Sequence, residues 1–230
     1  MRVSIVIAAY NEEAYVGQVI PKVLALSFHG LEKEIVVVND GSKDKTAEVV
    51  AKFKDQVKIV THPTNYGKGV ALKSGFTAAT GDIIAIQDAD LEYDPEDLVK
   101  LVTPIARGEA TIVYGSRQLQ ENPRGIPIYY MGNRFINFSF NLLYGTSLTD
   151  IYTATKVFRK DVWQKMKLVE TSFGFEAEFS AQAVKNGHKI LELPVAYHPR
   201  SIAEGKKIRP KDGIRFLLVS FRERFAKPLG

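Results

Sequence analysis

Two hydrophobic rhythms alternate along the first half of the chain. VSIVIAA (3–9), EIVVVND (34–40), VKIVTH (57–62), IIAIQ (83–87) and ATIVYGS (110–116) are short, nearly continuous apolar runs. That is the pattern of strands covered on both faces. Between them the apolar positions take helical spacing. Val16, Val19, Ile20, Val23 and Leu24 make the first helix. TAEVVAKF (46–53) follows, with Asp44 placed to cap it. KGVALKSGFTAAT (68–80) is expected to be closed by Gly81. Asp94-Pro95-Glu96-Asp97 supplies a cap, an N1 proline and an acidic first turn for the next helix. Strand and helix in alternation predict an α/β fold, a Rossmann-like, mostly parallel sheet with helices on both faces.

In the second half the pattern loosens. Residues 118–128 form a polar, proline-bearing loop. YYMGNRFINFSFNLLY (129–144) holds six aromatics, and Asn133, Asn137 and Asn141 draw a polar stripe on an otherwise apolar helix. Such a helix is either buried in the core or lies on a membrane surface. A strand over 153–159, a helix over 175–187 ending at Gly187, and a strand over 189–198 follow. Over 213–225, Ile214, Leu217, Leu218, Phe221 and Phe225 take helical spacing, with Arg215, Arg222 and Arg224 mostly on other faces. The C-terminal helices are therefore amphipathic.

Polar residues gather where the strands should end. Tyr10-Asn11-Glu12 follows the first strand, Asn39-Asp40-Gly41-Ser42 the second, Asp88 to Glu92 the fourth and Gly115-Ser116-Arg117 the fifth. Ligands of open α/β sheets bind at the carboxyl ends of the strands. A core strand gives no reason for polar residues to collect at one end, whereas a binding cleft does. The richest of these ends is DIIAIQDADLEYD (82–94). Asp88 and Asp90 stand at i and i+2, so an extended chain points them the same way. Two such acids can share a hard divalent cation with a diphosphate.

Composition narrows the classes. No cysteine is present and the four histidines are scattered, which excludes disulfides and thiolate sites and argues against zinc. AAYNEE stands after the first strand where a dinucleotide site would carry GxGxxG, and there is no GxxxxGK[ST] loop, so dehydrogenase and P-loop readings fall away. No signal peptide is read and no apolar run reaches the roughly 18 residues that span a bilayer. The net charge of +5 is concentrated at the end: from Lys206 to Gly230, eight Lys/Arg stand against Asp212 and Glu223. A basic tail points to an anionic partner. A membrane surface suits it, as does docking on the domain or on a second subunit of a homo-oligomer; no nucleic acid is expected.

AAYNEE, VVNDGSKDKT, NYGKGVALKSG, QDADLEYDP and GSR, in this order, resemble the family 2 glycosyltransferases of the GT-A fold. DIYTATKVFR (150–159), FEAE (175–178) and PRSIAEGKKI (199–208) resemble the polyprenyl-phosphate sugar synthases, the dolichyl-phosphate mannose and glucose synthase group. The resemblance implies one domain: a nucleotide-sugar-binding half (1–117), an acceptor-side half (118–205) and a basic amphipathic tail (206–230). It implies an inverting, metal-dependent transfer of a sugar from a UDP- or GDP-sugar to a polyprenyl (dolichyl) phosphate. The enzyme would act at the cytoplasmic membrane face, held there peripherally through 129–144 and 206–230.

Residue roles are implied in the same way. Ala9, Tyr10 and Glu12 would surround the nucleobase and ribose. Asp40 would accept from the base ring, or else cap the next turn. Lys68 and Gly69 would lie by the nucleotide, with Gly69 letting the backbone come close. Asp88 would contact the donor ribose or sugar. Asp90 would bind Mg2+ or Mn2+ through the diphosphate, with Glu92 as second ligand or water-holder. Arg117, Arg200 and Lys206 would carry phosphate charge on donor or acceptor. Asp150 heads the segment that brings acceptor-side groups to the cleft. Of Glu176 and Glu178, which do not share a helix face, at most one is expected in the site. Where the mannose synthases carry Gly, Phe and Arg, this chain has Ala154, Thr155 and Lys156, which favours a glucose-type or unassigned donor. Two other readings stay open: a family 2 transferase with a soluble saccharide or protein acceptor, and a non-catalytic nucleotide-sugar-binding protein.

Overall fold

The five apolar runs become β1 (Arg2–Ala9), β2 (Glu32–Asn39), β3 (Lys58–Thr61), β4 (Ile83–Asp88) and β5 (Ile112–Ser116) in a computed structural model. It describes residues 1–123, 126–201 and 204–226. Four residues of the loop and the PRSIAEGKKI segment (124, 125, 202 and 203), and the end of the basic tail (227–230), lie outside that description. The intervening helices are α1 (Val16–Ala25), α2 (Thr46–Ala51), α3 (Lys68–Ala78) and α4 (Asp97–Ala106). The second half adds α5 (Pro127–Tyr144), β6 (Lys156–Arg159), α6 (Lys160–Gln164), α7 (Phe175–Lys185), β7 (Ile190–Pro194) and α8 (Pro210–Phe225).

All seven strands join one sheet in the order β3-β2-β1-β4-β6-β5-β7. β1 lies between β2 and β4, in register at Val6 with Val36 on one side and Ile86 on the other. These pairings and β2 with β3 are parallel; β6 runs antiparallel to both β4 and β5. The strand expected over 153–159 is thus shorter, and it is the antiparallel member among the described strands. Period-two alternation then builds two cores. Val6, Val36, Val38, Ile84 and Ile86 face the layer of α3, α5, α7 and α8, whereas Ile5, Ile7, Val37 and Ala85 face that of α1 and α4.

Gly81 does not close α3. The helix ends at Ala78 and Ala79 is already extended. A Cβ on Gly81 would stand 2.6 Å from Ser4 Oγ and 2.7 Å from Arg2 O, so glycine is needed for a close passage over β1. The N-cap of α2 is Lys45 and not Asp44, which lies one residue ahead of it and accepts from the Thr46 amide at 3.0 Å and hydroxyl at 2.6 Å.

The aromatic helix divides its faces. On α5, Ile136 and Phe140 are buried, with Phe140 stacked on Tyr144 and 6.3 Å from Phe216 of α8. Two of its asparagines are structural: Asn137 and Asn141 both donate to Leu148 O and brace the loop that follows. The opposite stripe of α5 (Ile128, Met131, Phe135, Phe138, Leu142) and that of α8 (Ile214, Leu218, Phe221, Phe225) stay 60–76% exposed. No helix among the described residues is long and apolar enough to cross a membrane.

Candidate active site

A cleft of about 1460 Å³ opens over the carboxyl ends of β1 and β4. This is where the strand order turns back on itself, with β2 on one side of β1 and β4 on the other. Its lining includes Ala9, Tyr10, Glu12, Asp40, Lys68, Asp88, Asp90, Glu92, Arg117, Arg200 and Lys206. The structure therefore brings together residues from six separate stretches of sequence.

β4 delivers Asp88 at its last position, and a tight turn follows in which Leu91 takes a positive φ of 59°. Asp88 accepts from Lys68 Nζ at 2.8 Å. Asp90 accepts from Arg200 Nη2 at 2.6 Å. Burial, reinforced by the charges of Asp88 and Glu92, raises the Asp90 carboxyl to about 7. Glu92 turns toward another partner set: it accepts from the Arg200 amide and Lys206 Nζ, each at 2.8 Å, and from the Tyr197 hydroxyl at 2.9 Å.

Past β1, Glu12 is buried and takes both Arg200 terminal nitrogens, at 3.1 and 3.4 Å. Lys207, which follows the Lys206 singled out in the sequence, donates to Glu12 and to Tyr10 O. Arg200, Lys206 and Lys207, all after β7, thus set three cations on the carboxylates that follow β1 and β4. Burial opposes the charge of Arg200, but Asp90 and Glu12 outweigh it and raise its pKa. Asp40 is occupied within its own neighbourhood. It accepts from His62 Nδ1 (2.7 Å), Asn65 Nδ2 (3.1 Å) and the amides of Tyr66 (3.0 Å) and Gly67 (2.9 Å). It organises the loop that leads into α3.

Gly69 does allow a close approach, but to the protein's own chain. A Cβ there would stand 2.6 Å from Glu170 O, so α3 packs its first turn against the 170–171 backbone. That segment does not follow from the spacing of NYGKG.

Arg117 and Asp150 form a buried bidentate pair, Nε to one oxygen at 2.6 Å and Nη2 to the other at 2.7 Å. The guanidinium also lies 5.0 Å from the Tyr197 ring centroid. Of the two glutamates of FEAE, Glu176 lines the cleft and Glu178 does not; Glu178 accepts from the amides of Val169 and Glu170 instead. Glu176 takes Lys156 Nζ at 2.5 Å and stands 3.9 Å from Lys68 Nζ. Burial lowers the Lys156 pKa, against the pull of Glu176. Tyr93, Tyr152 and Tyr197 also line the cleft. Sequence reading missed these three, because aromatic residues in loops carry no periodic signal, and Lys207, whose partner Glu12 is 195 residues away.

The donor chemistry suits a hard cation. Asp88 and Asp90 offer oxygen atoms, and Asp90 is crowded by negative charge that a cation would relieve. Among the described residues no cluster of three His, Asp or Glu is arranged to hold a metal by itself. The set therefore fits an ion that a bound diphosphate helps to ligate.

Comparison with known proteins agrees with this geometry. The chain is 34% identical over 224 residues to the low-salt glycan biosynthesis hexosyltransferase of Haloferax volcanii, covering 94% of this chain and 53% of that protein. It thus spans about half the length of that relative. An uncharacterized protein of Methanocaldococcus jannaschii is 30% identical, over 94% of this chain and 90% of its own length. The dodecaprenyl-phosphate galacturonate synthase of Rhizobium johnstonii is 27% identical, over 87% and 60%. Among solved structures, glucosyl-3-phosphoglycerate synthase of Mycobacterium tuberculosis, crystallised with Mn2+, UDP and glucosyl-3-phosphoglycerate, superposes with a TM-score of 0.77. It is 20% identical, with 96% of this chain and 79% of that one covered, so it shares the GT-A fold. The glycosyl transferase family 2 model matches residues 4–166, and the chain belongs to that family.

Proposed function

We propose that this protein transfers a sugar from a UDP- or GDP-linked donor to a polyprenyl (dolichyl) phosphate, with inversion, at the inner face of the cell membrane. The observation that carries this reading is where the exposed apolar stripes begin. Ile128 and Phe135 of α5 and Ile214 of α8 belong both to those stripes and to the cleft lining. A lipid acceptor resting on that surface would have its phosphate at the cleft mouth, beside Arg200, Lys206 and Lys207. A soluble acceptor gives no reason for so much apolar surface at the cleft rim. The Rhizobium relative, whose name specifies a polyprenyl-phosphate product, supports the same acceptor class.

Each part of the chemistry has a candidate residue. Lys68 would carry charge toward the donor diphosphate, and Arg200, released from Asp90, would meet the acceptor phosphate with its fork of donors. Asp90 would hold Mg2+ or Mn2+, with Glu92 in a second place once freed of Lys206. The bound ion would supply charge stabilisation for the leaving diphosphate. A phosphate acceptor is already ionised at neutral pH, so its oxygen attacks without a general base. The buried Arg117–Asp150 pair would shape the acceptor side instead of carrying a proton.

The test is transfer from radiolabelled UDP- and GDP-sugars to polyprenyl phosphate in the presence of Mn2+ or Mg2+, with an EDTA control. EDTA-sensitive label in the organic phase is the expected result. Metal-dependent nucleotide release without organic label would move the acceptor to a soluble saccharide or protein. Absence of both would remove the transferase reading.

A further inference from the structure

Three buried polar atoms in the wall of the cleft lack a hydrogen-bond partner among the described residues. One is Nε of Arg200, which faces the Glu92 carboxylate at 3.8 Å. The other two are Oε1 of Glu176, with only a 3.9 Å contact to Lys68, and the Tyr152 hydroxyl. Buried polar groups are nearly always paired, so a stranded pair at one site asks for a reason. Loose packing is not the reason. Glu176 has its other oxygen fixed by Lys156, which donates in turn to Thr153 O and sits 4.6 Å from the Tyr114 ring centroid. The Tyr152 ring meets Phe216 edge-on, 5.0 Å between centroids and 85° between planes. Both groups are rigidly held with one polar atom unspent.

Their position says what they can meet. Lys68 Nζ lies 2.8 Å from Asp88 and 3.9 Å from Glu176, so Glu176 stands next to the strand end where a donor would place its diphosphate and sugar. A phosphate is a poor guest for Glu176, because a carboxylate repels it. A lipid chain would leave both atoms unpaired. A pyranose fits: each hydroxyl both donates and accepts, so it can donate a hydrogen bond to a carboxylate oxygen and pair with a phenol in either sense.

Resting on the transferase reading above, we propose that Glu176 and Tyr152 read the donor sugar, Glu176 Oε1 accepting from one ring hydroxyl and the Tyr152 hydroxyl bonding a second. They are specificity-determining residues. Tyr152 comes from the 150–159 segment. Sugar choice would accordingly be set there.

The experiment is calorimetric titration of the wild type, Tyr152→Phe and Glu176→Gln in Mn2+. The probes are UDP, GDP, UDP-glucose, UDP-galacturonate and GDP-mannose. For the donor that the wild type prefers, Tyr152→Phe is expected to weaken binding by about three- to tenfold and Glu176→Gln by about tenfold or more, the loss of one neutral and one charged hydrogen bond. Affinity for the matching nucleoside diphosphate stays within about twofold, since that ligand has no sugar to read. Unchanged donor affinity in both variants overturns the proposal. So does a parallel loss for donor and nucleoside diphosphate, which is what a structural role gives. A wild type that binds none of the five probes removes the transferase reading itself, and the proposal with it. Tyr152→Phe deletes an unpaired hydroxyl from a packed ring and is expected to fold. It decides the matter if Glu176→Gln, which sets an amide against Lys156, does not.

Discussion

Arg117 grips both carboxylate oxygens of Asp150, and its own backbone amide adds a third bond to the same group at 3.0 Å. Both side chains are almost inaccessible, so each is the other's solvent. Removing one partner of a buried pair strands a charge, at a cost of about 3–5 kcal/mol. Asp150→Asn is expected to lower the urea-unfolding free energy by that order. Replacing both, as in Arg117→Met with Asp150→Leu, is expected to cost less than the sum of the single changes. Additive losses in the double-mutant cycle would show that the two side chains act independently.

Asp90 is the position on which turnover depends. Asp90→Ala is expected to reduce label transfer to background and to leave the circular-dichroism spectrum unchanged. The same variant removes the burial penalty on the Asp90 carboxylate, reinforced by the charges of Asp88 and Glu92, that raises its pKa. It also takes one partner from the buried Arg200, which keeps Glu12 and Glu92, so its melting temperature near neutral pH is expected to lie close to that of the wild type. A variant that turns over normally would exclude Asp90 from the metal role.

The fold and the position of the cleft were legible because they rest on local rules. Apolar runs at strand length, helical spacing between them and polar residues at the strand ends are written consecutively. Partners were not legible. Nothing local ties Arg200 to Asp90 and Glu12, which stand 110 and 188 residues away. Asp40 illustrates the same limit: it lines the cleft, but its partners on the loop from His62 to Gly67 stand more than 20 residues away in the sequence. The antiparallel insertion of β6 is likewise a long-range choice, because its residues pair with β4 and β5 and not with sequence neighbours.

Gly69 tests how the first turn of α3 is seated. A Cβ there would meet the Glu170 carbonyl oxygen at 2.6 Å and the Thr171 carbonyl carbon at 3.1 Å, both backbone atoms that cannot swing aside. Gly69→Ala is expected to destabilise by about 1–3 kcal/mol through overpacking, despite the better helix propensity of alanine. A gain in thermal stability would mean that the 170–171 segment yields freely.

His188 gives the protein an acid-sensitive contribution remote from the cleft. Burial lowers its pKa below the ordinary 6.5. The unfolded chain then binds the proton more readily, so stability rises with pH through this window. The contribution is complete above about 6.5 and fades as pH falls toward the lower folded-state value. His188→Gln is expected to lose less stability than the wild type between pH 7.5 and pH 5 in urea titrations. Equal pH slopes for the two proteins would dismiss the effect.

The exposed stripes of α5 and α8 make the membrane reading measurable. Leu142 is 76% exposed and Phe221 60%, so charges there disturb little packing. Leu142→Glu with Phe221→Glu is expected to fall within about 1 kcal/mol of the wild-type unfolding free energy. Yet each apolar side chain moved out of water contributes about 1.5–3 kcal/mol, so the pair is expected to weaken binding to anionic vesicles by well over tenfold. Arg134, Arg209 and Lys211 flank the stripes, so vesicle binding by the wild type is also expected to fall as salt rises. Transfer to a water-soluble, short-chain polyprenyl phosphate should then survive in the variant while transfer to the vesicle-borne lipid fails, because the cleft residues are intact. Unchanged vesicle binding, together with loss of a dimer in sedimentation, would instead make this face a contact between two copies of the chain.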